Sequence, residues 1–327
     1  MTDFVFITAN DIHVSDTGPR SRTDDFKGAI LGKIGQMRAA CKKLNADAAL
    51  IAGDLYNLKN PSKNSHQLNQ ELIAEFRKFP CPIYMIPGNH DLTGNSLESL
   101  NEQPLGVLFA DGTLIRLDTQ KVEIEKEDYK VSIVGVPYLD KPDIEDLKIP
   151  EKGECVAQIC LLHQYASPKG GMLFKERLFG YDELAELGAD VYVIGHYHLD
   201  QGVTNQDGKH FINIGSMSRG TISEEDIEHE PQLGYIRVSA DEKTTISAQS
   251  IKLKIRPASE VFDLTKKEEE KQESKEIKEF VEKLIAESPG TEADSKDNIE
   301  DIIEKLDTDK KVKDKVAHFL LEASSLL

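Results

Sequence analysis

The residues with the clearest chemical potential are the consecutive Asn89, His90 and Asp91. They follow a short apolar segment, residues 83–86, which predicts a buried strand, and Gly88 permits a sharp turn at its end. An amide oxygen, an imidazole and a carboxylate at one strand end suit a metal ligand beside a proton donor. The same residue types are common in ordinary turns, so the triplet indicates a catalytic site only if other segments supply further ligands.

Other predicted strands end in the same way. Each is a short apolar or β-branched segment, and the metal-type residues at their ends are Asp11 and His13; Asp54; His163; His196 and His198. Ligands of open α/β sheets bind outside the carboxyl ends of the strands, so we expect these side chains to meet at one rim. Residues two apart in an extended segment share a face, which predicts that each Asp-x-His or His-x-His pair points the same way. A single histidine after a strand is usually structural, but the repetition predicts a metal site.

The elements that must position these residues alternate along the first two thirds of the 327-residue chain, which favours an α/β fold. Apolar residues at helical spacing predict a helix ending near Leu44 and another over roughly residues 65–78. We predict one large domain over residues 1–262 and a charged, helical extension over residues 263–327.

The charge of the chain limits its possible partners. The net charge is −18, whereas proteins that grip nucleic acid with their own surface are usually basic. Action on phosphodiesters would therefore need metal ions, a partner or a local basic patch, for which the candidates are Lys169, Lys175, Arg177 and Arg219. We expect a cytoplasmic protein, because no apolar segment approaches a membrane span, no signal peptide is evident and the four cysteines form no CxxC pair.

The ordered set Asp-x-His, Gly-Asp, Gly-Asn-His-Asp, a single His and Gly-His-x-His resembles the calcineurin-like metallophosphoesterase superfamily, over residues 4 to about 216. The resemblance implies an αββα sandwich with a two-metal site. It implies that one ion is held by Asp11, His13, Asp54 and His198, and the other by Asp54, Asn89, His163 and His196. It also makes His90 the catalytic proton donor. Asp91 could orient His90, or it could cap the turn.

The residue types support this chemistry. Two divalent ions about 3.5–4 Å apart can activate water and clamp the attacking and leaving oxygens of a displacement at phosphorus. A ligand set of His, Asp and Asn suits Mn²⁺, which we favour, or Fe, Co or Zn, better than Ca²⁺.

The likeness to phosphodiesterases is stronger than that to phosphoprotein phosphatases, which usually have Glu at the position of Asp91 and an Arg soon after the Gly-Asp pair. The chain most resembles the SbcD type, the DNA exonuclease and endonuclease subunit of repair and recombination complexes, through residues 53–56 and the Gly215-Ser216 turn. It departs from these relatives at Asn57, where they often have His or Asp near the catalytic histidine. An Asn side chain cannot exchange a proton, so the tuning of His90 is an open question.

The extension contains three apolar stripes at helical spacing, which begin at Ile277, Ile299 and Val312. They predict short amphipathic helices that form either a self-contained bundle or a docking segment for a partner. In SbcD-type proteins such helices hold an SMC-like ATPase of the SbcC type, and the family also implies a homodimer. The expected partners are therefore DNA, this ATPase and a second copy.

Two other functions remain open. One is a phosphodiesterase for a small molecule such as a cyclic nucleotide, in which the extension serves only oligomerisation. The other is a non-catalytic scaffold, against which the complete ligand set argues, because scaffolds usually lose a ligand or the catalytic histidine.

Overall fold

The computed structural model describes residues 2–118, 120–173, 176–221 and 223–264. Its α-helices, numbered α1 to α6, are Phe26–Leu44, His66–Phe76, Pro104–Ala110, Tyr181–Ala185, Glu224–Glu228 and Ala258–Val261. Its strands, numbered β1 to β15, are Thr2–Ala9, Ala48–Ala52, Ile83–Ile86, Ile115–Arg116, Val122–Lys126, Tyr129–Val136, Ala157–His163, Ala166–Ser167, Gly171–Leu173, Glu176–Gly180, Val191–Gly195, Asp200–Gln206, Lys209–Ile214, Gln232–Ala240 and Thr245–Lys252.

Two six-stranded sheets dominate the fold. The first has the order β15-β14-β1-β2-β3-β4, with β1 to β4 parallel and β14 and β15 antiparallel. The second has the order β12-β13-β11-β7-β6-β5, with a parallel centre and an antiparallel strand at each edge. A small sheet, β8-β10-β9, lies outside them.

Three apolar cores separate the layers. One lies between the first sheet and helices α1, α2 and α3, with Ile30, Met37 and Leu72 among its members. The second lies between the two sheets, and the third covers the outer face of the second sheet, where Tyr181 of α4 stacks on Phe211 at 4.2 Å. The predicted αββα sandwich is therefore confirmed, although the outer helical layer over the second sheet is thin.

Local sequence explains the elements that carry the site. Strand β2 reads Ala-Ala-Leu-Ile-Ala and is buried at every position, as expected of a central parallel strand covered on both faces. Asp25 caps α1 by accepting a hydrogen bond from the Gly28 N–H, and Ser65 caps α2 in the same way at Leu68. Asn45 ends α1 in the left-handed conformation that suits a C-cap.

The sequence predicted the main helices and strands to within a few residues. It missed the small sheet and strand β12, because these segments are polar and irregular in pattern. The amphipathic helices predicted in residues 263–327 begin at Ile277 and lie outside the described residues, which end at Leu264. The domain division therefore stays a prediction. No helix in the described ranges is long and apolar enough to cross a bilayer, and all four cysteines are free thiols.

Candidate metal centre

The two sheets bring their carboxyl ends to a common rim. Strands β1, β2 and β3 of the first sheet and β7 and β11 of the second end there. The predicted ligands that follow or end these strands are Asp11, His13, Asp54, Asn89, His163, His196 and His198.

The side chains form two groups with Asp54 in common. Asp11, His13, Asp54 and His198 each place one ligand atom within 4.8 Å of the others, and so do Asp54, His163 and His196. Asn89 joins the second group, since its Oδ1 lies 3.2 Å from Nε2 of His163. The grouping places the Nε2 atoms of His13 and His198 only 3.0 Å apart, close enough to share one cation.

Asp54 is the link between the groups. Its Oδ2 lies 3.7 Å from Nε2 of His13 in one group and 3.4 Å from Nε2 of His163 in the other. Its Oδ1 accepts a hydrogen bond of 2.8 Å from the His90 N–H. The Oδ2 atom is buried and has no hydrogen-bond partner within the described chain, and such an atom is costly unless a ligand satisfies it. This arrangement fits a dinuclear metal site with a shared carboxylate.

The backbone at these ligands is strained. Asp11, His13, Asp54 and His196 have positive φ angles of 51°, 52°, 53° and 82°. Non-glycine residues rarely adopt this conformation, and where they do the site is often functional. The expectation of an extended backbone is wrong for Asp11 and His13, which lie beyond β1 in left-handed conformations, although both join the first group. The expectation of a shared direction is wrong for His196 and His198, which serve different groups.

Two glycines of the motifs allow the close packing of the ligands. A Cβ on Gly53, whose φ is +89°, would lie 2.1 Å from Nδ1 of His163. A Cβ on Gly88 would lie 2.2 Å from Oδ1 of Asp54. Both distances are far below van der Waals contact, so only glycine fits beside these ligands.

Main-chain groups fix the orientation of the ligands. Asp11 accepts hydrogen bonds from the His196 N–H through Oδ1 and Oδ2, at 3.0 and 3.1 Å. The ring of His163 contacts the Ala52 carbonyl oxygen through Nδ1 at 2.7 Å, which leaves Nε2 toward Asp54. Ser216 donates its hydroxyl to the Asp11 carbonyl at 2.8 Å, so the Gly215-Ser216 turn supports the first ligand.

The electrostatics favour a cation. Burial alone would raise the pKa of Asp54, but the neighbouring His163 and His13 hold it well below its usual range. Burial lowers the pKa of His13 well below its ordinary value, and burial with the charge of His163 lowers that of His196 to about 3. Burial opposes protonation of His163 as well, yet Asp54 raises its pKa to about 9. An ionised Asp54 beside neutral His13 and His196 is the protonation state that binds divalent metals, whereas His163 must release its proton when a metal binds.

His90 is held by the main chain. Its Nδ1 lies 2.8 Å from the Asn57 carbonyl oxygen, so Nδ1–H donates and Nε2 remains for proton exchange. The departure from the family at position 57 therefore matters less than the sequence indicated. The orienting group is the backbone of Asn57, which any residue would supply.

Asp91 does not orient His90. Its carboxylate is buried and accepts hydrogen bonds from the N–H groups of Gly88, Leu55 and Tyr56, at 3.0, 3.3 and 3.1 Å. It therefore joins the turn after β3 to the turn after β2, because its acceptor capacity is used by backbone donors. The expectation that Asp91 orients His90 directly is therefore corrected. The alternative, that Asp91 caps the turn, matches these contacts.

The candidate basic patch is smaller than expected. Arg219 is buried, and its Nη2 donates to the Arg256 carbonyl oxygen at 2.6 Å. Arg177 pairs with Asp143 and Glu183. Lys175 lies outside the described residues. These two arginines stabilise the fold, so they do not offer free charge to a phosphate backbone.

Sequence reasoning missed two residues beside the ligands. The ring of Tyr165 lies 3.9 Å from that of His196, and Glu176 Oε2 lies 3.8 Å from Nε2 of the same histidine. Tyr165 follows a ligand by two positions, which was a usable signal. Glu176 carried none, because it stands in a polar segment of the small sheet.

Comparison with known proteins identifies the family of the chain. The calcineurin-like phosphoesterase family matches residues 5–200, which is more than half of the chain. The chain is 28% identical over 217 residues to the DNA double-strand break repair protein Mre11 of Archaeoglobus fulgidus, covering 62% of this chain and 47% of that protein. It is 25% identical over 210 residues to the uncharacterized metallophosphoesterase YhaO of Bacillus subtilis, covering 62% and 50%. The chain thus spans about half the length of these curated relatives.

The solved structures that the chain matches are more distant in sequence. They include the NAD nucleotidase of Haemophilus influenzae, with a TM-score of 0.48 and 14% identity over 77% of this chain and 50% of that one. A dimetal phosphatase from Danio rerio has a TM-score of 0.45 and 10% identity over 77% and 99%. The matched family, the fold and the clustered ligands agree. The chain belongs to the calcineurin-like phosphoesterase family.

Proposed function

We propose that this protein is a two-metal phosphodiesterase that cleaves DNA as the nuclease subunit of a repair or recombination complex. The observation that carries the catalytic part is the pair of ligand groups that share Asp54, which lines one cavity together with His90. The hydrolase assignment follows from the family. We also propose that the substrate is DNA, a step supported by the similarity to Mre11 and by the SbcD-type features of the sequence.

The ligand groups define which residues would hold the ions. Asp11, His13, Asp54 and His198 would hold one, and Asp54, Asn89, His163 and His196 the other. When bound, two divalent ions supply Lewis-acid chemistry: they lower the pKa of water and neutralise charge on the phosphoryl oxygens. Mn²⁺ is our favoured ion because the donors mix imidazole nitrogen with carboxylate and amide oxygen.

His90 supplies the proton. The Asn57 carbonyl fixes Nδ1–H, so Nε2 is the nitrogen that gives its proton to the departing alkoxide as the phosphorus–oxygen bond breaks. The main-chain N–H of the same residue donates to Asp54. His90 therefore carries the proposed proton donor in its side chain and orients the shared ligand Asp54 with its main chain.

The extension supplies the partner in this proposal. We propose that residues 263–327 bind an SMC-like ATPase of the SbcC type, which would contribute the basic DNA surface that a chain of net charge −18 lacks. Deletion of residues 266–327 is expected to abolish ATPase binding in a pull-down assay and to leave hydrolysis of a small phosphodiester. Loss of that hydrolysis as well would show that the extension belongs to the catalytic fold.

One observation favours a second candidate, a small-molecule phosphodiesterase. A cavity of about 520 Å³ adjoins His198 and is lined by several carboxylates, from Asp200, Asp226, Glu228 and Glu230. Carboxylates repel a long phosphate backbone but tolerate a small substrate that carries one phosphodiester.

The deciding assay uses purified full-length chain, Mn²⁺, end-labelled linear DNA and, in parallel, a cyclic nucleotide. The DNA proposal predicts cleavage that needs Mn²⁺ and is lost in His90→Ala but kept in His66→Ala, an exposed histidine at the start of α2. Hydrolysis of the cyclic nucleotide alone would favour the second candidate. Inactivity on both substrates, with metal bound and the ATPase present, would overturn the catalytic proposal.

A further inference from the structure

The cavity above the metal centre has an aromatic wall. It measures about 440 Å³, and besides the metal-centre residues Asp54, Asn89, His90, His196 and His198 it is lined by Tyr165, Tyr197, Leu199, Thr221, Ser223 and Asp226. A volume in this range accommodates a small organic molecule, such as one nucleotide. The two tyrosines and Leu199 are specific features of this wall that the proposed chemistry does not use.

The two tyrosine rings make a corner. Their centroids lie 6.0 Å apart and their planes meet at 78°. Tyr165 is half-buried because its ring lies against that of the ligand His196. Tyr197 stands between the ligands His196 and His198 in the chain, and its ring contacts that of Tyr165. A flat group could therefore stack on one ring and meet the other edge-on.

Charge decides which part of a substrate can occupy this wall. The metal centre takes the scissile phosphate. The carboxylate of Asp226 lies in the same cavity, where it accepts hydrogen bonds of 2.7 Å from the N–H and the hydroxyl of Thr221. A second phosphate beside this carboxylate is disfavoured, whereas an uncharged planar base is not.

From these observations we propose that Tyr165 and Tyr197 form a stacking platform for the base of the nucleotide that carries the scissile phosphate. The inference rests on the proposed phosphodiesterase function and specifies its substrate as a nucleotide whose base is unpaired, at a strand end or in a small nucleotide. Stacking of a base on an aromatic side chain is tolerant of sequence, so the platform selects for the presence of a base and not for its identity.

The platform role differs from a purely structural role in a measurable way. Tyr165 also supports His196, so its removal would disturb the metal ligand as well as a base. Tyr197 is the informative position, because replacement of its ring removes one wall of the corner and leaves the contact between Tyr165 and His196 in place. We call both positioning residues for the substrate.

The test measures binding without turnover. Full-length chain that carries His90→Ala is loaded with Mn²⁺ and titrated calorimetrically with 2′-deoxyadenosine 5′-monophosphate and with 2-deoxyribose 5-phosphate, which lacks only the base. The nucleotide is expected to bind about 5- to 150-fold more tightly, the range that corresponds to about 1–3 kcal/mol of stacking. Adding Tyr197→Ala should bring this ratio close to one, and Tyr197→Phe should restore it. Met172→Ala, at an exposed residue outside the cavity lining, should keep the ratio.

The outcomes separate this inference from the proposed function. Equal weakening of both ligands by Tyr197→Ala would mean a disturbed metal centre, and equal affinity of the starting protein for both ligands would mean no platform; either result overturns the inference. Failure of the DNA proposal would instead show as absence of Mn²⁺-dependent cleavage in the assay above, even with the binding ratio intact.

Discussion

Two buried clusters of charged residues in the described part of the chain differ in how their polar atoms are partnered. The metal centre collects carboxylates and imidazoles at the rim. The second cluster, here called the basic anchor, consists of Arg22, Lys33 and Arg219, whose side chains are nearly buried. Both clusters contact the loop over residues 215–219, through Ser216 in one case and Met217 in the other.

In the basic anchor each cation donates to a protein group. Arg22 makes two hydrogen bonds of 2.8 Å to Asp24, and its Nη1 donates to the Arg219 carbonyl oxygen at 2.7 Å. Lys33 donates to the Met217 carbonyl at 2.6 Å. The Arg22 guanidinium also lies 5.1 Å from the ring centroid of Phe262, close to the end of the described chain. The last contact packs Phe262 against the basic anchor.

In the metal centre, by contrast, side-chain atoms face one another across a gap that protein groups do not fill. Asp54 Oδ2 has no hydrogen-bond partner in the described part of the chain, and two imidazole Nε2 atoms meet at 3.0 Å. Burial of charge alone therefore does not identify a ligand site. Several metal-type side chains that converge on one point do, whereas a single buried atom without a partner among the described residues, such as Arg219 Nε, does not.

The largest expected effect is the loss of activity in Asp54→Asn. The variant removes the carboxylate that both ligand groups share, and even a residue that only supports a metal ligand is worth about 10–100-fold in affinity or activity. We expect more than about 100-fold loss of Mn²⁺-dependent hydrolysis of a small phosphodiester, measured by initial rates. Retention of most activity would show that Asp54 is a buried structural carboxylate, like Asp24.

His90→Ala tests the proposed proton donor. It should reduce the rate by about 10²–10⁴-fold, the usual contribution of a general acid, without loss of bound metal. The metal should remain because the bond from residue 90 to Asp54 comes from the main chain.

The matched control for His90 is Asn57→Ala, which keeps the carbonyl group that orients the imidazole. Its rate on the same substrate should stay within a few-fold of the parent. A loss as large as that of His90→Ala would mean that the side chain of Asn57 takes part, contrary to the contact seen here.

Arg22→Met breaks the basic anchor instead of the metal centre. Removal of one partner of a buried ion pair typically costs about 3–5 kcal/mol, because the other charge stays buried without compensation. Chemical denaturation should therefore show a large drop in the free energy of unfolding, while metal content below the unfolding transition stays unchanged. Metal loss in the folded variant would contradict the separation of the two clusters.

Lys33 gives an effect that depends on pH. Burial lowers the pKa of Lys33 to about 7 in the folded protein, below its value in an unfolded chain. Between pH 7 and about 10 the unfolded chain binds more protons at this residue, so its contribution to stability rises with pH. The free energy of unfolding of wild type relative to Lys33→Met should therefore shift in favour of wild type across this window. A constant difference would show that Lys33 titrates normally.

The contrast between the clusters also explains what sequence could and could not predict. Asp54, His163 and the other ligands were predictable because a parallel sheet gathers strand ends at one rim, so residue type and position sufficed. The left-handed turns at Asp11 and His13 were not, because they depend on tertiary contacts. Arg22, Lys33 and Arg219 gave no signal, since buried and exposed cations look alike in sequence. The backbone contact of Asn57 with His90 was equally hidden, because any residue provides a carbonyl.

The most direct test of the central claim is the metal content of three folded proteins after loading with Mn²⁺ and removal of excess ion: wild type, Asp54→Asn and Asp24→Asn. Both aspartates are buried, with side-chain exposures of 1% and 3%, but only Asp54 belongs to the metal centre. We expect about two equivalents for wild type and Asp24→Asn, and less than about one for Asp54→Asn. Equal metal content in Asp54→Asn and wild type would contradict it.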